Sequence, residues 1–144
     1  MSGYLLDTTC ISELVRIEPD VRVLTWMRAA NEKLLHLRVL TLGEIRKGTT
    51  LLSASRRRIQ LERWLEVELP AQFADRLLPI NAEIAEIWGT MAGEAQLQGI
   101  AVGIIDGFLA ATAKHHELTI VTRNVRDFRR WGLSVLNPWN PAGA

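Results

Sequence analysis

Three carboxylates stand where an acid is costly. Asp7 closes the apolar run Tyr4-Leu5-Leu6, Glu44 lies within Val39-Leu40-Thr41-Leu42-Gly43-Glu44-Ile45, and Asp106 interrupts Ile104-Ile105-Asp106-Gly107-Phe108-Leu109. A carboxylate drawn out of water is destabilising unless it is hydrogen-bonded, paired or bound to a cation. Helix capping accounts for any one of them: Asp7 and Asp106 as caps, Glu44 as the partner of Thr41 in a capping box. Three acids sharing one anomaly point instead to a common site. Gathered acids repel and raise one another's proton affinity unless a divalent cation neutralises them. Their hard oxygen donors favour magnesium, with manganese as a substitute, and the absence of a Cys/His cluster argues against structural zinc. The lone Cys10, between Thr9 and Ile11, reads as a buried structural thiol. His115 and His116 close a helix, where its dipole accounts for them without catalysis.

The elements expected to carry these residues alternate between strand and helix. Tyr4-Leu5-Leu6 is a strand, and a helix follows through Ile11, Leu14 and Val15. A second helix fits Pro19 to Ala30, a strand Leu35 to Leu40, and Thr41 is expected to open the next helix with Glu44 in its first turn. The polar segment from Ser53 to about Leu69 predicts a helix that Pro70 ends or interrupts. Leu77 to Ile80 reads as an edge strand because of Pro79, and Asn81 as the cap of a helix stopping at Gly99. A helix from about Ile104 to His116, a strand Leu118 to Val121, a loop with one helical turn over Arg123 to Phe128 and a strand Leu133 to Leu136 complete the chain. This is an α/β pattern with a mostly parallel sheet and helices on both faces. Asp7 and Asn124 then follow strands while Glu44 and Asp106 begin helices, positions that converge at the carboxyl edge of such a sheet.

The chain has 144 residues, 48% hydrophobic and 23% charged, which suits one folded domain over 1–140 with a frayed end over 141–144. No apolar run approaches the roughly 18 residues of a membrane span, and the N-terminus lacks a signal-peptide pattern, so no membrane role and a cytoplasmic location are expected.

At the acids the chain closely resembles the PIN-domain nucleases, in particular the VapC-like toxins with their FitB-like branch. The first motif is Tyr4-Leu5-Leu6-Asp7-Thr8-Thr9-Cys10-Ile11-Ser12-Glu13-Leu14, and the second is Thr41-Leu42-Gly43-Glu44-Ile45-Arg46-Lys47-Gly48. The third runs from Ile104 to Ala113, the fourth from Val121 to Phe128, and Leu136-Asn137-Pro138-Trp139 resembles the family's ending. The resemblance implies a five-stranded sheet of order 3-2-1-4-5 and a magnesium-dependent endoribonuclease. It assigns Asp7, Glu44 and Asp106 to the acidic metal site. Asn124 stands at the fourth position where some relatives carry an acid, and Asp127 is the candidate to supply that charge as a fourth catalytic carboxylate. Thr9 departs from the family's usual asparagine.

The same resemblance implies an RNA substrate, transfer or ribosomal, a cognate antitoxin that obstructs the acidic pocket, operator DNA reached through the antitoxin, and a homodimer. The formal net charge is +1, but setting Asp7, Glu44, Asp106 and Asp127 aside from the 16 acids leaves 12 against 17 basic residues, a remainder of +5 suited to a polyanion. Two alternatives stand beside this: a non-catalytic PIN-like subunit supporting a partner on operator DNA, and a phosphatase of the haloacid-dehalogenase type. The second normally needs an aspartate at the position of Thr9.

Overall fold

Leu5 and Leu6 are both fully buried, yet on opposite faces of one strand. Successive side chains of a strand alternate faces, so two adjacent buried leucines require cover on both sides. The computed structural model, which describes residues 3–141, supplies that cover. Strands β1 (Tyr4–Leu6), β2 (Leu35–Arg38), β3 (Leu77–Leu78), β4 (Thr119–Val121) and β5 (Val135–Leu136) form one parallel sheet of order β3-β2-β1-β4-β5. Leu6 and Val121 face a core with Ile11, Val23, Leu37 and Phe73, while Leu5 and Ile120 face Leu109, Ala110 and Phe128. Of the frayed end expected over 141–144, all but Pro141 lies outside the described residues.

Helices α1 (Thr8–Ser12), α2 (Val21–Ala29), α3 (Val39–Leu51), α4 (Arg56–Arg63), α5 (Leu69–Gln72), α6 (Ala82–Leu97), α7 (Ile104–His116) and α8 (Val125–Arg129) connect the strands. Asn81 caps α6 as expected, its side chain accepting from the Ile84 N–H at 2.9 Å, and Gly99 follows with φ of 73°. β3 is the edge strand that Pro79 required. Pro70 interrupts without ending: a wide π turn over Trp64–Glu68, closed by the Leu69 N–H on the Trp64 carbonyl, precedes α5, which takes Pro70 in its first turn.

One expectation fails. Thr41 does not open a helix, because α3 starts two residues earlier, directly off β2, with Arg38 at the cap position and no side-chain cap bond. Thr41 is fully buried in the first turn and its hydroxyl pairs with the Thr8 hydroxyl at 3.1 Å, donating to it because the Thr8 proton goes to Glu44, so the capping box with Glu44 never forms. That releases the Glu44 carboxylate for other partners.

The helix pair α6 and α7 carries Asp106, and its close approach depends on Gly107. A Cβ there would lie 2.8 Å from both Cδ1 and Nε1 of Trp88, whose ring is stacked on Phe108 with centroids 4.9 Å apart. Gly107→Ala is therefore expected to destabilise the protein by about 1–2 kcal/mol in chemical denaturation, overpacking outweighing the roughly 1 kcal/mol that alanine gains in helix propensity. An unchanged or raised unfolding midpoint would show that Trp88 moves aside freely.

Candidate active site

Asp7 immediately follows the central strand β1, and its backbone N–H donates to the Val121 carbonyl of β4 at 3.0 Å. β1 pairs β2 on one side and β4 on the other, so Asp7 sits at the switch point of the sheet, on its carboxyl edge, where open α/β folds bind ligands. Its Oδ1 accepts from the Thr8 N–H at 2.7 Å and its Oδ2 from the Thr122 hydroxyl at 2.8 Å. Thr122, fully buried just past β4, also accepts from the Asn124 N–H at 3.1 Å. The carboxylate and the loop after β4 are thus fixed by one hydroxyl.

Glu44 reaches the same edge from α3. Its Oε1 accepts from the Thr8 hydroxyl at 2.7 Å and from Nη2 of Arg38 at 3.0 Å. Arg38 is only 1% exposed, and its Nη1 donates to the Ile105 carbonyl at 2.8 Å, one residue before Asp106. Its Nε–H finds no acceptor among the described residues. Burial pushes the proton affinity of this guanidinium down, and Glu44, Asp7 and Asp106 pull it back up. An arginine held so deep is tolerable only because three carboxylates share its field.

Asp106 lies in the first turn of α7, half-buried, and its affinity for a proton is raised. Burial is the largest cause, followed by the charge of Asp7; Arg38 opposes, and Glu44 and Asp127 add to the rise. Asp106 and Asp127 line one small cavity of about 60 Å³ with Gly103, Arg130 and Trp131. Asn124 and Asp127, the two candidates for the fourth corner, are bonded to each other: Nδ2 of Asn124 donates to Oδ2 of Asp127 at 3.0 Å. A carboxylate only accepts, so the amide nitrogen must face it and the Asn124 oxygen is the end left over. Oδ1 of Asp127 lies 3.6 Å from Arg130.

A family model described as PIN domain matches residues 4–132. The chain belongs to the PIN-domain family. It is 36% identical over 96% of its length to the VapC ribonuclease Y4jK of Sinorhizobium fredii, covering 99% of that protein. It is 35% identical to the toxin FitB of Neisseria gonorrhoeae, over 94% of this chain and 98% of that one. A solved structure of FitAB bound to an IR36 DNA fragment superposes with a TM-score of 0.88 at 34% identity, covering 94% of this chain and 95% of that one. The strand order expected from the resemblance is the order found, and the haloacid-dehalogenase alternative falls with the family assignment.

In this PIN domain the donor set fits a hard divalent cation in type: carboxylate oxygens of Asp7, Glu44, Asp106 and Asp127 and the amide oxygen of Asn124. The proton affinity of Asp106 is raised first by burial and then by the unneutralised charge of Asp7. The acids nevertheless stop short of a closed ligand sphere, since among the described residues no three His, Cys, Asp or Glu side chains stand together closely enough to hold an ion. Asp7 and Glu44 are instead engaged by hydrogen bonds from Thr8, Thr122 and Arg38.

Two residues escaped the sequence analysis. Arg38 stood only as one residue of the expected strand Leu35 to Leu40, and Thr122 as part of a motif without a task. The usable signal was position: an arginine and a hydroxyl each ending a strand next to β1, on the edge where the acids converge. Cys10 is fully buried, and burial above all, then Asp7 and Glu13, pushes its thiol up to about 12, which keeps it protonated and inert. Arg57 donates to the Val15 carbonyl and Arg58 to the Leu52 carbonyl at 2.9 Å, so two members of the basic run Arg56-Arg57-Arg58 brace backbone.

Proposed function

We propose that this protein is a metal-dependent endoribonuclease of the cytoplasm, the toxin of a bacterial toxin–antitoxin pair, acting on transfer or ribosomal RNA. The observation that carries the reading is the meeting of Asp7, Glu44, Asp106 and Asp127 in one electrostatic field at the switch point of the sheet. The ribonuclease and toxin names of close relatives support it. Asp7, Glu44 and Asp106, with Asn124 at the fourth corner and Asp127 behind it, would hold magnesium or manganese. Such an ion, when bound, neutralises charge on the transferring phosphoryl group and lowers the pKa of water. Arg38 and Thr8 orient Glu44, Thr122 orients Asp7, and one of the carboxylates would accept the proton of the attacking water.

An antitoxin partner is supported by an apolar groove of about 270 Å³ that opens beside Thr8 and Glu44 and is lined by Val15, Ile45, Leu61 and Trp64. A segment folding into that groove ends at the acids, where a basic side chain would block them. Operator DNA reached through the antitoxin is supported by the DNA-bound FitAB structure, and a homodimer of the toxin belongs to the same proposal. No helix among the described residues is long and apolar enough to cross a membrane.

The test is cleavage of RNA by the purified chain without antitoxin. Cleavage is expected with magnesium or manganese and is expected to stop with a chelator. A chain that cuts no RNA under any divalent cation, yet strengthens a partner's grip on operator DNA, would establish the non-catalytic alternative.

A further inference from the structure

The small cavity at Asp106 and Asp127 is not isolated. Ile100, Arg130 and Trp131 line both it and a second pocket of about 250 Å³, which extends to Gln98 and Glu94 at the end of α6 and to Lys114 on α7. The two form a track that leaves the acids and runs between α6, α7 and the residues after α8. Resting on the ribonuclease reading, we propose that this second pocket binds a nucleotide flanking the scissile phosphate, its base against Trp131 and its backbone phosphate between Lys114 and Arg130.

Size, charge and distance support this occupant. A pocket of about 250 Å³ falls below the roughly 300–1,000 Å³ that holds a drug-sized ligand, and suits one nucleotide. Two cations, Lys114 and Arg130, against the single acid Glu94 favour an anion. Single-stranded RNA is held by such pairings of basic groups with aromatic faces, because every base has a stacking face whatever its sequence. Trp131 is braced by Phe128, with ring centroids 5.9 Å apart and planes at 70°, so its indole is already oriented before a base arrives. Lys114 is eight residues beyond Asp106 on α7, about 12 Å of helix rise, so the phosphate it meets is a neighbour of the one being cut. Arg130 joins the two regions, since it also faces Asp127 at 3.6 Å.

The experiment uses the full chain, with binding measured by anisotropy of a fluorescent RNA oligonucleotide in the Asp106→Asn background and cleavage measured in the otherwise native protein. Lys114→Glu, at an exposed position, is expected to weaken binding roughly 5- to 20-fold at low salt and to lower the salt slope by about one to two. Trp131→Ala is expected to weaken binding roughly 5- to 150-fold, with Trp131→Phe recovering part of the loss. In cleavage by Lys114→Glu, KM should rise while kcat moves by less than about twofold. RNAs shortened on one side of the cut, each side in turn, locate the subsite: on one side the truncated RNA should no longer distinguish the variants from the native protein. If Lys114→Glu and Trp131→Ala, both folded, bind and cut full-length RNA as the native chain does, the subsite is refuted and the ribonuclease reading stands. Loss of antitoxin affinity alone, with RNA binding intact, would assign the pocket to the protein partner and overturn the proposal. A native chain that neither binds nor cuts RNA removes the functional reading and the subsite with it.

Discussion

Asp106→Asn is expected to cut RNA cleavage by roughly 10²- to 10⁴-fold, or to background, while leaving the protein folded. The substitution keeps the side chain's shape and removes one charge from a group already pushed towards neutrality by burial and by Asp7. Its effect on stability has a predictable sign. A carboxyl whose folded pKa is raised contributes most below its ordinary value of 3.8, and that contribution is lost as pH rises through the raised value. At neutral pH in a chelator the ionised Asp106 therefore opposes folding, and the variant should melt higher than the native chain. Near pH 3 the advantage should vanish. Added magnesium should raise the melting temperature of the native chain more than that of the variant, since a ligand stabilises only the state that binds it. Full activity in the variant would remove Asp106 from the site, and a lower melting temperature at neutral pH would show that its charge is satisfied in the fold.

The positions of the acids were legible because a carboxylate in an apolar run is anomalous wherever it falls. The same anomaly also misleads. Glu13 is only 2% exposed, yet its oxygens accept from the Asp20 N–H at 2.7 Å and from Arg16 at 2.9 Å, and it serves to hold the turn ahead of α2. Local sequence cannot separate it from Glu44, because the distinction lies in which strand ends stand nearby. Strands and helices were legible for the usual reason, that apolar period follows burial. Thr41 was misjudged and Arg38 overlooked for one reason. A capping box is a local pattern, and here it is overridden by β2 running straight into α3, which buries Thr41 and turns Arg38 inward. Asn124 and Asp127 looked like competitors for one corner because sequence gives spacing and not contact; one helical turn brings them into a hydrogen bond.

A cleavable RNA with a single 2′-deoxy sugar immediately 5′ of the scissile phosphate should still be cut, within roughly tenfold of the all-ribose substrate, the residual loss reflecting recognition of that hydroxyl. Attack by the 2′-hydroxyl calls for a base beside it and an acid beside the departing oxygen, a task commonly given to a pair of histidines. The chain has three histidines, and none touches the acids. Nδ1 of His36 is bonded to the Leu34 carbonyl at 3.0 Å on the flank of β2. His115 reaches Glu83 at 3.3 Å, and His116 beside it is held towards neutrality, first by burial and then by His115 and His36. Both lie at the far end of α7 from Asp106. What remains at the cleft is a set of carboxylates, whose chemistry suits a divalent cation and a proton taken from water. Water attacking phosphorus in line with the 3′ oxygen leaves a 5′-phosphate on one fragment and a 3′-hydroxyl on the other. End-group analysis by mass spectrometry reads this directly on both substrates. A 2′,3′-cyclic phosphate from the all-ribose RNA, with the deoxy RNA bound and intact, would make the substrate's own hydroxyl the nucleophile and would require an acid–base pair that these carboxylates do not supply.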